Sequence, residues 1–279
     1  MTDTMRPFSA AAMTVDAQGV GLALDFDGVT FAYRDTPALD DFSARLEPGK
    51  LTCIVGKNGS GKSTLIALAD GLLRPAAGRM LLGDKDMAQM NSRERARLLA
   101  VLFQQNATPA ATVEELVAHG RYPHTRGVRL DEEDVAAVEA ALLRLELGNL
   151  RHRLVAQLSG GQRQRAFLAM VLAQDAPVVL LDEPTAALDA HAAHDVMQLA
   201  AELSQEGKTV GVVIHDLDLA LRYANCLLIM DEGRLVAAGT REEIIEADVI
   251  PGVFGMRTVA CEDAATGETG FLLFPLDAR

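Results

Sequence analysis

Hydrophobic residues follow two different periods along this chain, and the periods predict a protein of the mixed α/β class. Residues 20–47 alternate apolar and polar side chains, which is typical of an antiparallel β layer. Leu51–Val55 and Val178–Leu181 are continuous apolar runs, as expected for strands covered on both faces of a sheet. Residues 131–147 instead repeat apolar side chains at the helical spacing, at Val135, Val138, Leu142 and Leu145.

From residue 178 onward, predicted strands and helices alternate, which predicts a mainly parallel, doubly wound sheet with flanking helices. The predicted strands are Leu51–Val55, Arg79–Leu82, Ala100–Phe103, Val178–Asp182, Thr209–Ile214, Leu227–Met230 and Arg234–Ala238. The predicted helices are Leu65–Ala69, Ser92–Leu99, Glu114–His119, Asp131–Leu147, Gly160–Gln174, Ala190–Gln205 and Leu217–Tyr223. After them we expect one short helix, Glu242–Ala247, and a hairpin of Arg257–Cys261 and Gly270–Phe274 joined through Ala265–Gly267.

The predicted organisation is one domain with two extensions. We expect residues 1–19 to be a flexible polar extension rather than a signal peptide, because no charged segment is followed there by an apolar core and cleavage site. Residues 20–250 are expected to form a single domain, with a helical subdomain of about residues 105–175 inserted in its core. Residues 251–279 are expected to extend that domain as a β-hairpin.

Composition narrows the class of protein further. The chain has 279 residues, almost half of them apolar, yet no run of about 20 apolar residues that could span a membrane. Its net charge of −13 argues against a nucleic-acid surface, which needs many Lys and Arg facing phosphates. The three cysteines are widely spaced, so buried free thiols in a reducing compartment are expected, and a metal site on them has little support.

A glycine-rich motif between a predicted strand and a predicted helix points to phosphate binding. Gly56–Thr64 fits G-x-x-x-x-G-K-[ST], whose backbone N–H groups converge on phosphates at a helix N-terminus. Lys62 would add a positive charge, Ser63 a hydroxyl for Mg²⁺, and Thr64 a bond near the α-phosphate. The candidate nucleotide-binding residues are Gly56, Asn58, Gly59, Ser60, Gly61, Lys62, Ser63 and Thr64.

Polar residues at the ends of neighbouring strands supply candidate chemistry. Asp182 ends a wholly apolar strand, where its carboxylate could hold Mg²⁺ through a water molecule. The next residue, Glu183, could orient or deprotonate an attacking water, or be a carboxylate without a catalytic role. His215 could contact the γ-phosphate, although an isolated histidine is more often structural. Gln104 could ligate Mg²⁺ or water through its amide oxygen, which alone is a weak indication.

Two further elements concern the nucleotide. Tyr33 could stack on adenine, or be a half-buried aromatic of a strand. Leu158–Gln162 places a serine and two glycines at the start of a helix, which makes a second anion-binding helix end in one chain. Since that element offers no base or metal ligand, the simplest arrangement is a head-to-tail dimer. Each ATP would then lie between one subunit's Lys62 and the other's Ser159.

These motifs together, in this order along residues 20–250, resemble the ATPase subunit of ATP-binding-cassette (ABC) transporters. The resemblance implies that Lys62, Ser63, Gln104, Asp182, Glu183 and His215 serve ATP and Mg²⁺ within one subunit. It also implies that Ser159, Gly160, Gly161 and Gln162 serve the partner's ATP, with Asp189 at the dimer seam. The expected fold is a phosphate-loop NTPase core of α/β class with an antiparallel β layer and an inserted helical subdomain.

A narrower resemblance is to the ATPases of importers for iron–siderophores, haem and cobalamin, and most to the iron–siderophore branch. It rests on Thr112–Val117, Gly120–His124, Gln162–Met170, His215–Leu217 and Arg222–Ala224. It implies two membrane permease subunits as partners, a periplasmic or lipid-anchored substrate-binding protein as an indirect one, no nucleic acid, and a position on the cytoplasmic face of the membrane. The alternatives are a haem or cobalamin importer, an exporter ATPase, a cassette acting on nucleic acid or the ribosome, and a nucleotide-sensing scaffold.

Overall fold

The structure, a computed structural model, describes residues 21–104, 106–125, 129–186, 188–262 and 269–276. The strands are β1 (Leu24–Tyr33), β2 (Thr36–Leu46), β3 (Leu51–Gly56), β4 (Ala77–Leu82), β5 (Lys85–Asp86), β6 (Leu99–Leu102), β7 (Val178–Asp182), β8 (Thr209–Val213), β9 (Cys226–Asp231), β10 (Arg234–Gly239), β11 (Met256–Glu262) and β12 (Thr269–Pro275). The helices are α1 (Lys62–Asp70), α2 (Ser92–Leu98), α3 (Val113–His119), α4 (Glu132–Arg144), α5 (Gly160–Gln174), α6 (Ala190–Gln205), α7 (Leu217–Tyr223), α8 (Arg241–Glu246) and α9 (Val249–Phe254).

The central sheet of the described residues has the strand order β10-β9-β3-β8-β7-β6. Neighbouring strands from β9 to β6 are parallel, and β10 is an antiparallel edge strand. Every residue of β3, β7 and β8 is buried, which is why apolar runs without alternation form them. The predicted parallel sheet is confirmed, and its carboxyl edge is where open α/β sheets bind ligands.

A second sheet, in the order β2-β1-β4-β5, is antiparallel throughout. Its inner face shares one apolar cluster with α1 and the central sheet, in which Phe26 meets Phe42 edge to face at 5.7 Å between ring centroids. The alternation of residues 20–47 predicts this layer correctly, because only one face of these strands is buried. The layer fixes β3 and α1, and therefore the loop between them.

Helices α3, α4 and α5 lie in the chain between β6 and β7, which pair directly in the sheet. On α4, Val138 and Leu142 are buried, as is Leu145 just after the helix, and these residues confirm most of the predicted apolar stripe. Val135, in the first turn, is 47% exposed, so it keeps the helical spacing without joining the buried face. The apolar face of α4 therefore begins one turn later than the spacing suggests.

A buried ion pair joins these three helices. Arg121, just after α3, and Asp134, in the first turn of α4, are 4% and 2% exposed, and their Nε and Oδ1 atoms are 2.8 Å apart. The same guanidinium donates from Nη1 to the Ala173 carbonyl, in the last turn of α5, at 3.0 Å. One side chain thus satisfies a buried carboxylate and a helix-end carbonyl that would otherwise lack a partner.

The C-terminal part differs from the prediction in one element. It contains two short helices, α8 and α9, where one was expected, before the hairpin of β11 and β12. Pro251 and Gly252 count against a helix in the sequence, yet Pro251 lies in the first turn of α9, where its missing N–H breaks no helical hydrogen bond. The predicted hairpin strands are confirmed to within one residue, while their connection at Ala265–Gly267 lies outside the described residues.

The cysteines are free thiols. Cys53, in β3, is fully buried, and burial raises the pKa of its thiol to about 12, so it stays protonated and unreactive near neutral pH. Cys226 and Cys261 are half-buried. The expectation of buried free thiols therefore holds fully only for Cys53.

Asp134→Asn should destabilise the protein by about 3–5 kcal/mol, because it leaves the buried Arg121 guanidinium without its counter-charge. Urea unfolding followed by circular dichroism measures the change. Asp27→Asn is the matched control, since Asp27 pairs with Arg79 at the surface and exposed pairs contribute about 0–1 kcal/mol. Equal unfolding midpoints for the two variants would contradict a structural role for the Arg121 pair.

Candidate functional site

The loop between β3 and α1 has the backbone geometry that its glycines predict. Gly59 and Gly61 have φ angles of +82° and +97°, in the left-handed region that favours glycine. A Cβ on Gly61 would lie 2.3 Å from the Ala38 carbonyl oxygen, so the second sheet leaves no space for a side chain. Gly61 also precedes the first residue of α1, so the N–H groups of this turn face the loop.

Lys62 is buried at the start of α1 and lies against its own loop. Its Nζ donates to the carbonyls of Gly56 and Lys57, at 2.8 Å each. Burial lowers the pKa of this ammonium, and the nearby carboxylates of Glu183 and Asp182 oppose that shift. The Lys62 ammonium group thus lies in a water-poor site, where its attraction to phosphate is stronger than at the surface.

Ser63 and Asp182 place two oxygen atoms that could bind a metal ion side by side. The Ser63 hydroxyl donates to Asp182 Oδ1 at 3.3 Å. Asp182 is buried at the end of β7; burial raises the pKa of its carboxyl, while the bond from Ser63 and the charge of Lys62 oppose the rise. Hydroxyl and carboxylate oxygens beside a phosphate loop are the donor set that Mg²⁺ prefers. These residues fit a divalent cation.

The Glu183 side chain contacts two side chains that follow the neighbouring strands of the sheet. Its carboxylate accepts from Gln104 Nε2 at one oxygen and pairs with His215 Nε2 at the other. Gln104 follows β6, Glu183 follows β7 and His215 follows β8, so parallel neighbours supply all three. Glu183 has a φ of +49°, which is unusual for a residue with a side chain and is typical of strained functional positions. The bond from Gln104 uses its amide nitrogen, which leaves the amide oxygen for another partner.

The remaining predicted residues of the loop lie close by. The Thr64 hydroxyl is 3.5 Å from the Tyr33 hydroxyl, so Tyr33, at the end of β1, stands beside the start of α1. Tyr33 is 51% exposed and meets Phe31 edge to face, which leaves ring surface open to a ligand. Ser60 is buried and Asn58 is exposed. The stacking role of Tyr33 stays a prediction.

The second glycine-rich element is a separate helix end. Ser159 caps α5: its hydroxyl accepts from the Gln162 N–H at 3.3 Å, and Gln162 Oε1 accepts from the Ser159 N–H at 3.1 Å. Ser159 and Gly160 are exposed, and within the described residues no hydrogen bond joins this element to the Lys62 loop. Asp189 caps α6 by accepting from the Ala192 N–H at 2.9 Å, and it is also exposed.

Sequence reasoning gave no individual role to Gln164 and did not find the cleft beside Glu183. Gln164 Nε2, on α5, donates to the Pro184 carbonyl at 2.8 Å and so holds the loop that follows Glu183. The cleft, of about 420 Å³, lies between α6 and α7 and has Glu183 and His215 on its wall. Neither feature follows a spacing rule, because each depends on residues from separate elements.

Comparison with known proteins agrees with this geometry. A family model described as "ABC transporter" matches residues 39–186. The ferric enterobactin transport ATP-binding protein FepC of Escherichia coli (strain K12) is 40% identical over 242 residues, which cover 86% of this chain and 89% of FepC. The similarity therefore extends well beyond the motifs.

Two solved structures are similar to this fold. An inward-facing metal-chelate type ABC transporter aligns with a TM-score of 0.78 and 26% identity, over 91% of this chain and 98% of that one. The dimeric structure of a bacterial ABC transporter cassette aligns with a TM-score of 0.71 and 29% identity, over 78% of this chain and 98% of that one. Both matches cover nearly all of the other chain.

Gly61→Ala should weaken ATP binding by at least about tenfold, because the substitution combines an unfavourable φ with a backbone clash. Titration with a fluorescent ATP analogue measures the affinity, and circular dichroism checks that the variant is folded. Gly148→Ala is the control, since a Cβ there meets nothing within 4 Å. A folded Gly61→Ala protein with unchanged affinity would contradict the role assigned to this loop.

Proposed function

This chain belongs to the ABC transporter family, and from that premise we propose that it is the ATP-hydrolysing subunit of an importer that takes up an iron chelate, a ferric siderophore. The observation that carries the catalytic part is the convergence of Gln104 and His215 on Glu183, beside Lys62 and Asp182. The similarity to FepC, a ferric enterobactin transport protein, supports the substrate class. The chain binds ATP and couples its hydrolysis to transport, as its family does.

Each side chain of the site has one task in hydrolysis. Lys62 and the N–H groups of Gly56–Thr64 bind the β- and γ-phosphates, and Tyr33 stacks on adenine. Glu183 accepts the proton of the attacking water, while His215 donates to the carboxylate and would contact the γ-phosphoryl group. Ser63 and Asp182, with the amide oxygen of Gln104, would hold Mg²⁺. That ion, when bound, neutralises charge on the phosphate oxygens.

A second copy of the chain completes the site. The Ser159 helix end exposes anion-binding N–H groups and lies on a different element from the Lys62 loop. In a head-to-tail dimer Ser159, Gly160, Gly161 and Gln162 of one copy close over the nucleotide held by the other, with Asp189 at the seam. The dimeric cassette structure among the structural neighbours supports this association. ATP then favours the closed dimer over the open one.

We propose that this chain acts at a membrane through partner subunits. In the described part of the chain no helix could cross a bilayer. We infer that two permease subunits hold the dimer at the cytoplasmic face of the membrane, docked near Gln104 and the helices that follow it. A substrate-binding protein delivers the iron chelate to the other side, so the solute never touches this chain. A haem or cobalamin importer would use the same chemistry in this subunit.

Glu183→Gln should bind ATP but hydrolyse it at least about a hundredfold more slowly, the effect expected on loss of a general base. The variant should accumulate as an ATP-bound dimer, seen by size-exclusion chromatography with light scattering, while phosphate release measures hydrolysis. Glu246→Gln, at an exposed position on α8, is the control for removing one negative charge. A Glu183→Gln protein that remains monomeric at saturating ATP would exclude the dimer model.

The substrate class is tested by isolating the complete transporter. A tagged copy of this chain, expressed in its native host under iron limitation, should recover a permease with many membrane-spanning helices. In vesicles, ATP hydrolysis by that complex should change when a binding protein carries a ferric siderophore, and not when it carries haem or cobalamin. A response to haem or cobalamin alone would reassign the substrate, and recovery of ribosomes or DNA without a permease would refute the importer function.

A further inference from the structure

The cleft of about 420 Å³ lies between α6 and α7, and the segments that precede these helices carry Glu183 and His215. One wall is the start of α6, which follows the loop after Glu183, and the other is the start of α7, which is separated from His215 only by its capping residue. Leu188, Ala193 and Leu219 give the cleft apolar walls, and His194 lies on the α6 side. Because the segments before these helices carry Glu183 and His215, the spacing between α6 and α7 bears on how the two side chains meet.

A hydrogen bond links α6 to α7. His194 Nδ1, on the second turn of α6, is 3.0 Å from the hydroxyl of Tyr223, the last residue of α7. Their ring centroids are 5.8 Å apart, and Tyr223 also packs against the main apolar cluster. The bond is partly buried, so exchange with water competes less with it than at the surface. We call this His194–Tyr223 pair the strut.

The strut is close enough to the reaction centre to affect it. Helix α7 has seven residues, so it is about 10 Å long and has only two turns between Asp216 and Tyr223. Arg241 also contacts the Tyr223 end of α7, since its Nη1 donates to the Leu221 carbonyl and its guanidinium lies 5.4 Å from the centre of the Phe271 ring. Tyr223 and Asp216 lie at the two ends of this short helix, so a shift of Tyr223 relative to α6 would be passed on to Asp216, the capping residue, and to His215 just before it.

We propose that His194 and Tyr223 are positioning residues for ATP hydrolysis: their hydrogen bond fixes the distance between α6 and α7 and so holds His215 against Glu183. This inference rests on the roles proposed for those two residues. Neither member of the strut touches the phosphate loop through a hydrogen bond within the described residues. Loss of the strut should therefore affect the chemical step and leave nucleotide binding intact.

Tyr223→Phe removes only the hydroxyl and keeps the ring. It should lower kcat for ATP about three- to tenfold, the effect of losing one neutral hydrogen bond, with KM changed less than twofold and the melting temperature nearly unchanged. His194→Ala should lower kcat similarly, and the double variant should be no slower than the slower single variant, because both changes remove one bond. His191→Ala, at an exposed histidine on the same helix, should match the wild type.

A second measurement separates positioning from general destabilisation. In NMR spectra of histidine-labelled protein, Tyr223→Phe should shift the His215 ring signals, which His215→Ala identifies by their loss, and His191→Ala should leave them unchanged. The proposal would be overturned if the kcat losses of the two single variants added up in the double variant, or if the loss appeared in KM rather than kcat. Unshifted His215 signals in Tyr223→Phe would also overturn it. If Glu183→Gln and His215→Ala hydrolyse ATP like the wild type, the proposed function has failed; if they are inactive and Tyr223→Phe is not impaired, only the strut has failed.

Discussion

The parallel register of β7 between β6 and β8 is the constraint on which the site depends. Asp182 pairs with Val213, and the Glu183 N–H continues the ladder to the Val213 carbonyl at 3.0 Å. Glu183 therefore leaves the sheet level with the residues that follow the two neighbouring strands. Its left-handed backbone then turns the carboxylate toward both Gln104 and His215. A slip of one residue in β7 would bury Glu183 and reverse the direction of every side chain of the strand.

Burial gives the site its electrostatic character. It lowers the pKa of Lys62 and raises the pKa of Asp182, and each shift is opposed by the other's charge. The two groups therefore stabilise one another as a cation and an anion in surroundings that disfavour either alone. At the proposed site, a nucleotide phosphate would favour the charged form of Lys62, and a divalent cation would favour that of Asp182. Both ligands would meet groups that are already fixed in place, so little reorganisation would accompany binding.

The sequence predicted those parts of the fold that local patterns determine. The buried strands and Gly56–Thr64 follow from apolar runs and from glycine positions, and the edge that joins Gln104, Glu183 and His215 follows from the parallel order. Helix α9 was missed because Pro251 and Gly252 weigh against any helix unless the first turn is recognised. His194 and Tyr223 are 29 residues apart on different helices, and no periodicity relates them. A pair of this kind can be identified only from the way two helices pack in the folded structure.

Helix α5 links the Ser159 helix end to the loop that follows Glu183. Its first residues carry the Ser159 cap, and its Gln164 amide holds the Pro184 carbonyl next to Glu183. Its last turn is tied through the Ala173 carbonyl to Arg121 and so to Asp134 on α4. A rotation of the α3–α5 segment would therefore move the Ser159 helix end and pull on the loop after Glu183 together. The same three helices that would contact a membrane partner are thus linked to Glu183, the proposed general base, through bonds to backbone carbonyls at both ends of α5.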